Sequence, residues 1–124
     1  MSSAEVQTKT VLLAASAVTS LVGTGDNARV YPDVIAAEAA LPAIMYQRSE
    51  TEKFGTLDES VSCKRVSIDI TCVADTREGA EALGDAVEAA MEAAHHHCTG
   101  RIGASDPESQ TYGAVMTFNV WEGV

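Results

Sequence analysis

The stretch His95-His96-His97-Cys98 holds the side chains most capable of chemistry, because imidazole and thiolate bind transition metals and act as bases and nucleophiles near neutral pH. Consecutive residues on a helix point about 100° apart, so at most two of these four face one ion unless the helix ends there. No second cluster of Cys or His lies elsewhere in the chain to complete four ligands. The plainer expectation is that the imidazoles end a helix whose negative pole favours partial positive charge, and that no metal is held. A competing reading, a monomeric α+β enzyme or metal-binding domain using His95, His97 and Cys98, stays open at this point. Cys63, Cys72 and Cys98 form no C-x-x-C pair. Their odd number fits a reduced, intracellular history. Cys63 and Cys72 lie nine apart on one expected strand and point to opposite faces, so they cannot pair with each other. Cys72 is expected to be a core thiol. The chain has no serine elbow, no H-E-x-x-H and no calcium loop, and Gly100-Arg101-Ile102-Gly103 lacks the Lys-Ser/Thr successor of a phosphate cradle. No catalytic residue and no cofactor is expected.

A second constellation is more informative. At 100° per residue, Glu78, Glu81, Asp85, Glu88 and Glu92 fall within an arc of about 80°, nearly opposite Leu83, Val87 and Met91. From Glu78 to Glu92 there is no Lys or Arg, so the stripe reads as uncompensated. Solvated faces usually mix signs, since like charges four apart cost about 0.2–0.5 kcal/mol. Two readings stand: an ordinary solvated face, or a surface that repels anions for a purpose.

The elements that must position these residues follow from periodicity. Ser2 or Ser3, with Glu5 nearby, can cap a first helix whose apolar residues Val11, Ala15, Val18 and Val22 share a face, and Gly23 and Gly25 stop it. Leu13 and Leu21 lie among the apolar residues that spread around the rest of this helix. So weakly one-sided a helix is usually buried on several sides, in the core or against another subunit. Arg29 to Tyr31 is a short extended piece ended by Pro32, and Asp33 to Leu41 is an Ala-rich connection closed by Pro42. Ala43 to Lys53 and Ser60 to Ala74 read as the strands of a long hairpin turning at Phe54-Gly55-Thr56-Leu57-Asp58. In the second strand Val66, Ile68, Ile70 and Cys72 alternate with Ser67, Asp69 and Thr71, one buried face and one wet. Asp75 with Glu78 reads as the capping box of a second helix buried through Leu83, Val87, Met91 and Ala94. A Gly-, Ser-, Asp- and Pro-rich loop is expected from Thr99 to Gln110, before a closing strand from Tyr112 to Trp121. The fold class is α+β: an antiparallel or mixed sheet of about four strands with two main helices packed on it. Residues 1–124 read as a single domain.

Composition narrows the partners. The 124 residues carry eight Lys and Arg against eighteen Asp and Glu, a formal charge of −10. That argues against gripping nucleic acid or anionic membrane, which clustered cations hold. Aromatic residues, at 5%, are too few for a base-stacking platform. The uncharged run Thr10 to Gly25 is too short and too rich in Ser and Thr to span a bilayer, and Glu5 against Lys9 is not the positive leader of a signal peptide.

Val30-Tyr31-Pro32, Leu41-Pro42 leading into Ile44-Met45-Tyr46, Arg65-Val66-Ser67-Ile68-Asp69-Ile70, a helix opening over Thr76 to Ala82, and an end strand with Phe118 and Trp121 together resemble the tail-completion proteins of long-tailed bacteriophages. These are also described as tail terminators or tail-to-head joining proteins. The similarity runs from Leu12 to Trp121 in the same element order. It implies a structural virion protein of the tail neck region, assembled in the host cytoplasm, with no active site. The subunits would close into a ring, a hexamer by this resemblance, that caps the head-proximal end of the tail tube, stops its growth and meets the head connector. Its implied partners are further copies of itself, the tail tube protein and the connector, with DNA passing through unbound and no membrane involved. Within that picture Glu78, Glu81, Asp85, Glu88 and Glu92 are candidates for the channel wall, since an acidic wall keeps a polyanion sliding. Phe54 and Leu57 at the hairpin tip, with Leu13 and Leu21, are candidates for subunit or tube contact. The other reading of the tip, a hairpin folded back over its own sheet, remains open. The His95 to Cys98 run and the Thr99 to Gln110 segment are not features of the resemblance.

Overall fold

The computed structural model describes residues 3–23, 29–32, 41–55, 61–106 and 111–123. Along the chain it forms α1 (Ala4–Ala14), α2 (Ser16–Val22), β1 (Val30–Pro32), β2 (Ala43–Gly55), β3 (Val61–Ala74), α3 (Arg77–Ala93), β4 (His97–Asp106) and β5 (Thr111–Gly123). The strands make one sheet in the order β1-β2-β3-β5-β4. β1 runs parallel to β2 and the other pairs are antiparallel, so the sheet is mixed. The α+β class holds, with five strands and three helices among the described residues instead of about four and two.

Alternation sets the two faces of the sheet. Ile44 pairs with Cys72 and Cys72 with Ala114, Tyr46 with Ile70 and Ile70 with Met116, Ile68 with Phe118, and Val66 with Val120. All of these side chains are buried, and all but Ala114 form one cluster with Leu12, Val18 and Val22 from α1 and α2 and with Leu83, Val87 and Met91 from α3. The helices therefore share one face of the sheet. Each fully buried aliphatic or Phe side chain in that layer contributes about 1.5–3 kcal/mol relative to exposure. The register is tightly specified, because a slip of one residue would turn the whole row to the other side.

The first helix departs from the sequence reading. It is two helices broken at Ala15, whose φ and ψ of −86° and 114° are extended, and whose carbonyl accepts the N–H groups of Val18 and Thr19 to start α2. α1 buries Ala4, Thr8 and Leu12, and α2 buries Val18 and Val22. In a straight helix Leu12 and Val18 would lie about 120° apart, so the break brings both ladders onto the core. Val11 and Ala15, expected on the buried face, are only partly covered. Ser3 caps α1, its hydroxyl accepting from the Val6 N–H at 3.2 Å, and Gly23 ends α2 at a φ of 96°.

Arg29 ties this helical pair to the sheet. Its Nε donates to the Pro42 carbonyl at 2.8 Å and its Nη2 to the Leu21 carbonyl at 2.9 Å, so one guanidinium joins the end of α2 to the lead-in of β2. The Leu41-Pro42 peptide is cis. The Ala-rich connection expected over Asp33 to Leu41 falls, except for Leu41, outside the described residues.

The segment expected as a loop from Thr99 to Gln110 is mostly strand. β4 pairs with β5 from His97 opposite Asn119 to Asp106 opposite Thr111, with a bulge between Cys98 and Gly100. Its sequence has no alternating apolar pattern because it is an edge strand whose residues 102–105 are all exposed. Pairing with β5 makes it a strand where its own composition would not.

Candidate functional site

α3 carries the acidic stripe, and its start is set by Thr76, not Asp75. The Thr76 hydroxyl accepts the Gly79 N–H at 3.0 Å, so Glu78 sits one position too early to complete a capping box. Gly79 fits this cap for a steric reason: a Cβ there would lie 2.9 Å from the Thr76 Oγ1 and 3.2 Å from the Ala74 Cβ. Leu83, Val87 and Met91 are buried with Ala80 and Gly84, and Ala94, expected on that side, is the half-buried C-cap.

The five carboxylates project from the opposite side. Glu78, Glu81, Asp85 and Glu92 are exposed and Glu88 is half-buried. They are not uncompensated. Arg101 reaches across from β4 and its Nη2 meets Glu81 Oε2 at 2.8 Å, while its Nη1 meets Asp85 Oδ1 at 2.8 Å and Glu88 Oε1 at 3.1 Å. Nη2 also donates to the Glu81 carbonyl at 3.3 Å. The Arg101 side chain is 23% exposed, and its guanidinium lies directly over Gly84, where a Cβ would stand 2.8 Å from Nη2. Burial pulls the Arg101 pKa down, but hydrogen bonds to Asp85 and Glu88 and the Asp85 and Glu81 charges outweigh it, leaving the group above its ordinary value. Five carboxylates against one guanidinium still leave a strongly negative ridge. Local sequence missed Arg101 because it comes from another element. The signal that could have found it is Gly84, since an interior helix glycine costs about 1 kcal/mol against alanine and marks a close approach.

The histidine run does not extend the helix. His95 takes a left-handed φ of 67°, its N–H donates to the Glu92 carbonyl and the His96 N–H to the Met91 carbonyl, both at 2.9 Å. This is a Schellman ending with histidine where glycine is usual. It turns the chain so that His97 already belongs to β4, opposite Asn119. His95, His96, His97 and Glu92 line an open hollow of about 300 Å³. Among the described residues no group of three or more His, Cys, Asp and Glu side chains is arranged to hold a metal ion. Burial, then the neighbouring His95, holds the His96 pKa below its ordinary value.

Cys72 is a free, fully buried thiol, and burial pushes its pKa up to about 12 despite the Arg101 charge. Cys98 is free and half-buried against the core, its pKa also raised mainly by burial. Neither has the electropositive, accessible setting of a reactive thiolate.

The contact candidates are spread over the molecule. Leu13 and Leu21 are half-buried and pack on the molecule's own core, leaving only their outer parts for a neighbour. Phe54 belongs to β2, its backbone opposite Cys63, and is not in the turn. Leu57 lies outside the described residues. Large apolar side chains that are exposed include Val6, Ile102 and Trp121.

A mixed sheet with α1, α2 and α3 on one face and a charged ridge along the outer side of α3 defines a subunit of the α+β class. The chain matches the family described as Tail completion protein gp17 over residues 9–123, and it belongs to that family of virion tail proteins, whose role is structural and not enzymatic. Among solved structures it is similar to a chain from the virion of a native gene transfer agent particle, at 15% identity and a TM-score of 0.66, covering 90% of this chain and 88% of that one. No curated protein sequence matches it. Among the described residues no helix is long and apolar enough to cross a membrane.

Proposed function

We propose that residues 1–124 are one tail-terminator-like domain that closes into a ring, a hexamer, on the head-proximal end of the tail tube. The ring stops tube polymerisation and presents its other side to the head connector, and DNA passes through a channel walled by Glu78, Glu81, Asp85, Glu88 and Glu92. Family membership supports the tail role, and the α3 ridge is the observation that carries the channel reading. Its carboxylates remain mostly exposed after Arg101 has taken three of them. Burying such groups in a dry interface would cost several kcal/mol each, so the ridge faces water. In a narrow hole the repeated charge gives a focused negative potential, and a duplex with one charge per about 1.7 Å is then repelled from the wall and slides. The hairpin end around Phe54 and Leu57, with the outer parts of Leu13 and Leu21, meets a neighbouring subunit or the tube.

Light scattering across micromolar concentrations, electron micrographs of the purified protein and a tube-assembly assay test this reading. Rings of uniform diameter, or tubes of fixed length capped at one end, are expected. A strict monomer that also leaves tube growth unchanged would sink it.

A further inference from the structure

Among the described residues β4 has few attachments apart from its ladder to β5. It is one edge of the sheet, carries Gly100 and Gly103, and is interrupted by the bulge after Cys98. Residues 102–105 are exposed, Ile102 at 67%, so the strand gives almost nothing to the apolar core beyond Cys98. Arg101 is the exception, with three carboxylates and one carbonyl of α3 converging on a single guanidinium seated over Gly84. Isolated surface ion pairs contribute little, but a half-buried fan of this kind is a network with fixed geometry.

We propose that the Arg101 fan is a latch that holds β4 closed against α3, so that β4 can open as a local unit while the rest of the fold stays intact. Regions with few buried apolar contacts open at lower free energy than the core they border. Opening has two consequences built into the topology. It exposes the N–H and C=O groups of β5 that pair with β4, a free strand edge of the kind that accepts another strand. It also withdraws the guanidinium from Glu81, Asp85 and Glu88, making the α3 ridge fully uncompensated. The inference does not depend on where that ridge lies in an assembly.

Two thiols report the two levels of opening. In a Cys63→Ser background, Cys98 on β4 reports the strand and Cys72, fully buried on β3, reports the core. Native-state thiol labelling and hydrogen exchange of residues 97–106 are measured for Arg101→Gln and, separately, for the triple Glu81→Gln, Asp85→Asn, Glu88→Gln. The expected result is a rise of tenfold or more in Cys98 labelling and β4 amide exchange, with Cys72 and residues 66–72 unchanged. Raising salt should narrow the difference from the parent, because screening weakens the parent's fan. Unchanged β4 exchange in both variants would overturn the latch. So would Cys98 and Cys72 rising by the same factor, or neither variant folding, since each makes the fan a support of the whole fold.

Discussion

His96 sits where the chain turns from α3 into β4, half-buried, with its imidazole held below the ordinary histidine range by burial and by His95. The unfolded chain then takes up a proton before the folded one does. Its contribution is present above a pH of about 6.5 and is lost as pH falls through the lower folded value. Partial exposure limits the effect to under about 1 kcal/mol, a few degrees in Tm for a chain of this size. The drop in Tm between pH 7.5 and 5.5 should therefore be smaller in His96→Gln than in the parent, and identical slopes in thermal melts would refute the assignment. Glu5 acts in a separate window. The Arg48 hydrogen bonds, 2.6 Å at Nη2, hold its carboxyl low, so its contribution is lost only at more acid pH.

At the scale of elements, the start of α3 distinguishes two neighbouring residues. Thr76 supplies the cap through Gly79, while Asp75 is an exposed residue before it. Thr76→Ala should cost about 1 kcal/mol in urea denaturation and Asp75→Ala only a few tenths. Equal losses would mean that the cap is not where the 3.0 Å bond places it. Gly79→Ala should also destabilise, although alanine is the better helix former, because its Cβ meets the capping hydroxyl.

On the scale of the whole molecule, Arg101 governs how the acidic ridge can be probed. Lysines at 81, 85 and 88 would face a guanidinium at contact distance and disturb the fold itself. Glu78 and Glu92 lie outside the fan and are exposed, so Glu78→Lys with Glu92→Lys changes the ridge while leaving Arg101 its partners. If the ridge walls the channel, particles carrying the pair should retain DNA in a salt-dependent way and package or eject poorly. Normal infectivity from assembled particles with this variant would assign the ridge to an outer, solvated wall.

Ser60 to Ala74 and Tyr112 to Trp121 were legible as strands, found at Val61–Ala74 and Thr111–Gly123, and Leu83, Val87 and Met91 as a buried helix face, because alternation and helical spacing are written in the local chain. The motifs from Val30 to Trp121 carried the resemblance to tail-completion proteins by their order along the chain, which no single element's periodicity shows. What lay beyond it depends on contacts between distant residues. The break at Ala15 exists because two out-of-phase apolar ladders must reach one core. β4 is a strand because β5 offers it a ladder, and no local periodicity announces that. The compensation of the acidic stripe required Arg101 to come from β4 to Gly84, a meeting that only the folding of the sheet beneath α3 produces. Local pattern decides which face of an element is apolar, whereas pairing across the sheet decides which elements exist at its edge and which charges meet there.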